Sequence, residues 1–158
     1  MLTEKIQTDM KAAMKAGDAF RLSALRMAQS ALHNKALDKR ATLVKAGGSA
    51  EDAILSDDEE ILVLRSELKR RKDAAGEFDK GHRPELAEKE RGEALILEEY
   101  LPAEASDEVV SNTVRSAIAE IGSDPKQFGK VMSLAMKTFG GEASGDRVSA
   151  EVKKQLGA

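Results

Sequence analysis

The stretch Ala94-Leu95-Ile96-Leu97-Glu98-Glu99-Tyr100-Leu101-Pro102 decides how the chain is divided. It holds the densest apolar run in the second half of the chain, the only tyrosine and one of three prolines. At helical spacing Ala94, Leu97 and Leu101 fall on one side, with Tyr100 beside them. Pro102 has no N–H to continue the hydrogen-bond ladder and disfavours helical backbone at Leu101. An amphipathic helix therefore buries its last two turns and stops there. Residues 1–102 read as one helical unit, and residues 103–158 as a second and smaller one.

Upstream of this joint, Leu2, Ile6, Met10, Ala13 and Met14 recur every three or four residues and predict a helix over Leu2–Lys15. Gly17 ends it, and Asp18 can cap the next. That second helix runs from Ala19 into the forties. Leu22, Leu25, Ala28, Leu32 and Ala36 form its buried stripe, and Ala24, Ala28 and Ala31 permit close approach of a neighbour. Arg26, His33 and Arg40 lie on a wet face. Gly47-Gly48-Ser49 breaks the helix, and the acidic residues beyond predict a loose connection. Ser56 and Glu59 then match a capping box. Ile61, Leu64, Leu68 and Ala75 give the third helix its apolar stripe, with Arg65, Lys69 and Lys72 on a strip beside it. Gly81 stops this helix, and Pro84 suits the first turn of a fourth. Apolar residues are few from Asp73 to Glu93, which predicts a helical hairpin whose tip projects with little core beneath it.

Downstream, Ser106 caps a fifth helix ending at Gly122, with Val109, Val110, Val114, Ala117, Ile118 and Ile121 on its buried side. Asp124-Pro125 opens a sixth, whose Phe128, Val131, Met132, Ala135 and Met136 face inward. Gly140-Gly141 ends it, and Ser144 or Asp146 starts a seventh carrying Val148, Val152 and Leu156. The fold class is therefore all-α: an N-terminal bundle of about four helices with a projecting hairpin, then a small three-helix domain.

Composition agrees. Hydrophobic residues are 41% but aromatics only 3%, so the core is built from Leu, Ile, Val, Met and Ala, which suits helix packing more than a sheet. The chain has no cysteine, which removes disulfides and thiolate chemistry and is compatible with a reducing cytoplasm, the expected location. No run is long and apolar enough for a membrane span, so no membrane partner is expected. Glu4 and Asp9 in a segment without an apolar centre argue against a secretory signal.

The inventory for catalysis is thin. His33 and His82 fall in different elements without a second ligand at i+3 or i+4, so no metal is expected. Glu98 and Glu99 diverge by about 100° on a helix, a poor geometry for paired-carboxylate work. Ser23, Ser30 and Ser133 have no base at a motif spacing, and the phosphate-loop signature is missing. No catalytic residue and no cofactor is assigned.

Net charge is −3, yet it is a sum of blocks. Residues 21–45 carry six bases against Asp38, residues 46–60 six acids and no base, and residues 65–72 five bases against Glu67. Two readings stand: the blocks create local fields, or facing helices neutralise one another. A sharper feature lies near the C-terminus. Gly129-Lys130 sits in the first turns of the sixth helix, and Gly140, Gly141 and Gly145 lead into the seventh. Two glycine-relieved helix starts beside Lys126, Lys130, Lys137 and Arg147 can bind phosphate oxygens. The alternative is that the glycines serve packing and turning while the lysines are solvated.

Four ordered motifs carry a resemblance: Arg21-Leu22-Ser23-Ala24-Leu25-Arg26-Met27; Arg65-Ser66-Glu67-Leu68-Lys69-Arg70-Arg71-Lys72-Asp73; Glu98-Glu99-Tyr100-Leu101-Pro102; and Phe128-Gly129-Lys130-Val131-Met132. Together they resemble the GatB/YqeY family over almost the whole chain, apart from Ala41–Asp52. The resemblance implies a stand-alone YqeY-like protein similar to the C-terminal portion of the B subunit of the glutamine-dependent tRNA amidotransferase. That enzyme is a carbon–nitrogen ligase with glutamine as amido-N-donor. Its kinase and amidase chemistry belongs to other domains and another subunit, and neither is found here. Its tail domain contacts tRNA, so tRNA is the implied partner. The nucleic-acid contacts expected here are Lys126, Gly129, Lys130, Lys137 and Arg147, aided by Arg21, Arg26, Arg65, Lys69 and Lys72. Two positions depart from the family pattern: Glu142 and Asp146 stand where it commonly carries basic residues, which should weaken phosphate binding. The alternative role is a helical protein–protein adaptor that docks a protein partner through the projecting hairpin or the basic face. Oligomeric state is not fixed by the sequence.

Overall fold

The computed structural model describes residues 1–157. Seven α-helices follow one another: α1 (Leu2–Ala16), α2 (Ala19–Lys45), α3 (Asp57–Lys80), α4 (Pro84–Glu98), α5 (Asp107–Ile121), α6 (Phe128–Phe139) and α7 (Gly145–Leu156). No strand occurs among the described residues, so the protein is all-α. The chain divides into two compact units, Met1–Leu101 and Pro102–Ala158.

In the first unit local chemistry sets the helix ends. Gly17 takes the left-handed conformation (φ 72°) after α1, and the Asp18 side chain accepts from the Arg21 N–H to start α2. Ser56 and Glu59 form a complete capping box at α3. Ile6, Leu25, Leu64 and Leu97 are fully buried at the centre of the core. Each contributes about 1.5–3 kcal/mol. Tyr100 closes the core after α4, where Tyr100 and Leu101 turn back onto the Leu97 and Glu98 carbonyls. Gly92 lets the Phe20 ring lie on α4, since a Cβ there would stand 3.0 Å from Phe20 Cζ.

Two expectations need correction. The connection after α2 is anchored, not loose: Leu55 is buried in the core, and Lys39 Nζ donates to the Ile54 carbonyl at 2.8 Å. Met14 lies 59% exposed rather than in the stripe. Gly81 ends α3 as expected, with φ −79°, and the exposed His82 after it takes the left-handed conformation (φ 55°). α3 is about 36 Å long at 1.5 Å per residue. Its outer half closes against α4 on the small side chains Ala75 and Ala87, which stand outside the main core cluster.

In the second unit α5, α6 and α7 pack around Val114, Val131, Val148 and Val152, all fully buried. Ser106 and Ser144 cap α5 and α7. Val109 points outward, 47% exposed, against the expectation. The turn at Pro125–Gln127 is a separate 3-10 turn. The Asp124 side chain accepts from Lys126 N–H at 2.9 Å and its carbonyl from Gln127 N–H at 2.8 Å, so this turn closes tightly and α6 begins at Phe128. Gly140 and Gly141 reverse the chain with φ of 51° and 89°. The Ala105 N–H donates to the Glu142 carbonyl at 2.7 Å, tying the segment before α5 to this reversal.

Candidate nucleic-acid interface

Three of the expected cations of the first unit, Arg21, Lys69 and Lys72, meet acids of the same unit. Arg21 makes a bidentate pair with Glu99, at 3.0 Å to Oε1 and 2.7 Å to Oε2, and lies 3.5 Å from the Tyr100 hydroxyl. The Glu99 hydrogen bonds hold the Arg21 guanidinium above its ordinary pKa, with burial opposing, and Arg21 holds the Glu99 carboxyl below the usual range. Tyr100 donates to Asp9 Oδ2 at 2.5 Å, and Lys5 Nζ stands 4.9 Å over its ring. Burial first, then Asp9, pushes the phenol up to about 12. Two of the resembling motifs thus clasp each other. Lys72 meets Glu98 at 2.7 Å, and Lys69 meets Asp73 at 3.0 Å. Arg65 is buried, at 9% exposure. Arg26 is exposed, makes no ion pair among the described residues, and lines a cleft between α2 and α3.

Sequence reasoning missed three buried charges. Arg71 donates through Nη1 to Glu93 Oε2 at 2.7 Å and to Glu90 Oε2 at 3.3 Å, with Glu93 almost wholly buried. Glu60 of α3, also buried, accepts from the Leu2 N–H at 2.6 Å, the Thr3 N–H at 3.3 Å and the Thr3 hydroxyl at 2.6 Å. It caps α1, whose own N-cap supplies no side-chain acceptor. A signal existed. Glu60 and Arg71 fall at four before and seven after Leu64, on the apolar stripe itself, and Glu93 falls four before Leu97.

In the second unit the expected residues part company. Lys126 lies on the 3-10 turn, Gly129 and Lys130 in the first turn of α6, and Lys137 two turns beyond Lys130. All four are exposed, and the three lysines make no ion pair among the described residues. Lys130 and Lys137, seven apart, share a face of α6 and rise about 10 Å along it. Arg147 is instead held inside its unit, at 2.6 Å from Asp107 Oδ1 and 3.0 Å from Glu104 Oε2. The Asp107 hydrogen bond raises its pKa despite burial, and Glu104 adds to this. The departing residues Glu142 and Asp146 are exposed on the surface of this unit. Nearby, Glu151 accepts from Gln155 and Ser111, which lowers its carboxyl pKa. Among the described residues no cluster of three or more His, Cys, Asp or Glu is placed to hold a metal, and no helix is long and apolar enough to cross a membrane.

Comparison with known proteins covers nearly the whole chain. The family model described as Yqey-like protein matches residues 3–156. Altered inheritance of mitochondria protein 41, mitochondrial, of Kluyveromyces lactis is 31% identical over 161 residues, spanning 96% of this chain and 80% of that protein.

Proposed function

The chain belongs to the YqeY-like protein family, and on that premise we propose that it works as a non-catalytic, tRNA-associated accessory module related to the tail of glutamine-dependent tRNA amidotransferases. The observation that carries this reading is the contrast between the α6 lysines and the ion-paired cations expected beside them. In the first unit Arg21, Lys69 and Lys72 are matched by carboxylates, whereas Lys126, Lys130 and Lys137 stand exposed without ion pairs, among the described residues, beside the start of α6. An ammonium that already holds a carboxylate gains less from a phosphate than one facing only water. No side chain stands over Gly129, so the backbone beside Lys130 is open to an approaching phosphate. The cytoplasm is the compartment this reading assigns, although the name of the Kluyveromyces lactis relative places that protein in the mitochondrion.

The test is titration of the full chain with total tRNA at low salt. A saturable complex weakened several-fold by Lys130→Ala is expected. No complex at low salt, or a complex indifferent to Lys130→Ala and Lys137→Ala together, removes the reading. A second reading, a helical protein–protein adaptor with no RNA role, draws on the Arg21–Glu99 and Lys72–Glu98 pairs and the small-residue packing of the α3–α4 hairpin.

A further inference from the structure

A cleft of about 910 Å³ runs between α2 and α3 on the outer side of the first unit. The two helices are antiparallel along it. Lys39 Nζ meets Glu59 Oε2 at 2.6 Å at one end, and Arg71 Nη2 meets Met27 Sδ at 3.5 Å at the other. Its lining follows helical spacing on both walls: Ser23, Met27, Ser30 and Asn34 of α2, and Glu59, Leu62, Ser66 and Arg70 of α3. The walls extend about 18–22 Å, the length of about 12–15 helical residues. The floor is apolar, formed by Met27, Ala31, Leu62 and Val63, with Met27 37% and Leu62 40% exposed.

The chemistry at the ends is not symmetrical. Among the described residues three lining charges make no ion pair: Arg26 toward one end, and Lys35 and Asp38, one turn apart, toward the other. Beside Arg26 lies Arg71, only 8% exposed. Its Nη1 serves Glu93 and Glu90, while Nε is buried without a hydrogen-bond partner and Nη2 reaches only the Met27 thioether. Nε–H and one Nη2–H point the same way from a planar guanidinium, so a two-donor edge faces a weak sulfur acceptor. The charge of Arg71 is already met by two carboxylates. A further phosphate or carboxylate would be repelled by them, whereas a neutral carbonyl oxygen would satisfy the donors without adding charge. Met27 is unbranched and can swing off that edge.

From these observations we infer that the α2–α3 cleft docks an amphipathic helix of a partner protein, with its C-terminus at Arg71 and its N-terminus at Asp38. The last carbonyls of such a helix have no intrahelical partner, and the Nε/Nη2 edge of Arg71 caps them. Its apolar stripe covers Met27, Ala31, Leu62 and Val63. An acid in its last turn meets Arg26, an acid in its second turn meets Lys35, and a base in its first turn meets Asp38. The docked helix lies parallel to α3 and antiparallel to α2. The near balance of charges around the cleft favours a protein helix over RNA. This inference is independent of the tRNA reading, which rests on the second unit.

The test uses a lactam-bridged helical peptide of about 14 residues, with leucines at helical spacing, lysine in the first turn and glutamates in the second and last turns. Its partner peptide has the same composition with the charge order reversed. Both are titrated into the full isotope-labelled chain and followed by amide NMR, which also reports that each variant is folded. Saturable shifts confined to residues 23–38 and 59–71 are expected, with the first peptide binding at least tenfold more tightly than the reversed one. Leu62→Glu, or Ser30→Glu as a second variant, should weaken binding tenfold or more. Arg71→Lys, which keeps the charge toward Glu93 but loses the two-donor edge, should narrow the preference between the two peptides. Val44→Glu, an exposed position outside the cleft, should change nothing. Absence of saturable shifts, equal binding of both peptides, or indifference to Leu62→Glu and Ser30→Glu overturns the inference. So does displacement of the peptide by tRNA, which assigns the cleft to nucleic acid, or a dimer that Leu62→Glu converts to monomer, which assigns it to a second copy.

Discussion

The buried pair Arg71–Glu93 should break asymmetrically. The carboxylate of Glu93 is 2% exposed and the Arg71 side chain 10%, with 2.7 Å between Nη1 and Oε2. Removing one partner strands the other where water cannot reach it, which costs about 3–5 kcal/mol in such sites. The two single changes are not equivalent here. Glu93→Leu leaves Arg71 with Glu90 at 3.3 Å, a partly exposed carboxylate that still compensates it, so a loss near 3 kcal/mol is expected. Arg71→Met leaves Glu93 buried beside Glu90 with Oε1 already lacking a partner, so the loss should be nearer 5 kcal/mol. Replacing both by Met and Leu removes two desolvation costs together with the attraction, and should recover most of the larger loss. Urea unfolding followed by circular dichroism measures all three. With a slope of about 2 kcal/mol/M, a loss of 4 kcal/mol moves the midpoint by about 2 M. A double variant no more stable than Arg71→Met would refute the reasoning, because removing the stranded Glu93 would then have recovered nothing.

Further outcomes are expected from the same set of contacts. Glu60→Leu removes the acceptor for both N–H donors of α1, so a loss of about 2 kcal/mol and a fall of roughly 10 °C in the melting temperature of the first unit are expected. An unchanged melting curve would remove Glu60 as the cap of α1. Tyr100 should titrate near 12 rather than near its ordinary 10 in an ultraviolet pH scan. Because the folded value is raised, the associated stability is complete below 10 and is lost as pH climbs toward 12. A phenol midpoint near 10 in the folded protein contradicts the Asp9 contact. At the acid end, Lys39 with the Ser56 backbone lowers Glu59, Arg21 lowers Glu99, and Gln155 with Ser111 lowers Glu151. Depressed folded values mean stability that is present above the ordinary carboxylate range and lost as pH falls through the folded values. Both units should therefore weaken on acidification, and replacing Glu59 and Glu99 by Gln should flatten the acid limb for the first.

Much of this architecture is legible in the residues because helix ends are local. Gly17, Ser56 with Glu59, Pro84, Ser106 and Gly140 each act within four residues of themselves, and each sits at the boundary its chemistry predicts. The tight turn at Pro125 escaped because proline and aspartate suit both an α and a 3-10 start. Burial is less legible where the partner is distant. Arg21 and Glu99 are 78 residues apart, and Leu2 and Glu60 are 58 apart. No spacing rule links them, so Arg21 reads as a nucleic-acid contact and Glu60 as part of an acidic cap. Met14 and Val109 fit an apolar period yet face outward, since periodicity marks a stripe without saying how wide the neighbouring helix covers it.

The most direct measurement is the salt dependence of tRNA binding for the full chain and for its Lys126→Ala/Lys130→Ala/Lys137→Ala variant. If the three ammonium groups each release a counterion, log K should fall with log salt at a slope of about −2 to −3, and the variant should lose most of that slope. A variant with the slope and affinity of the parent would contradict the assignment of the α6 edge as the nucleic-acid surface.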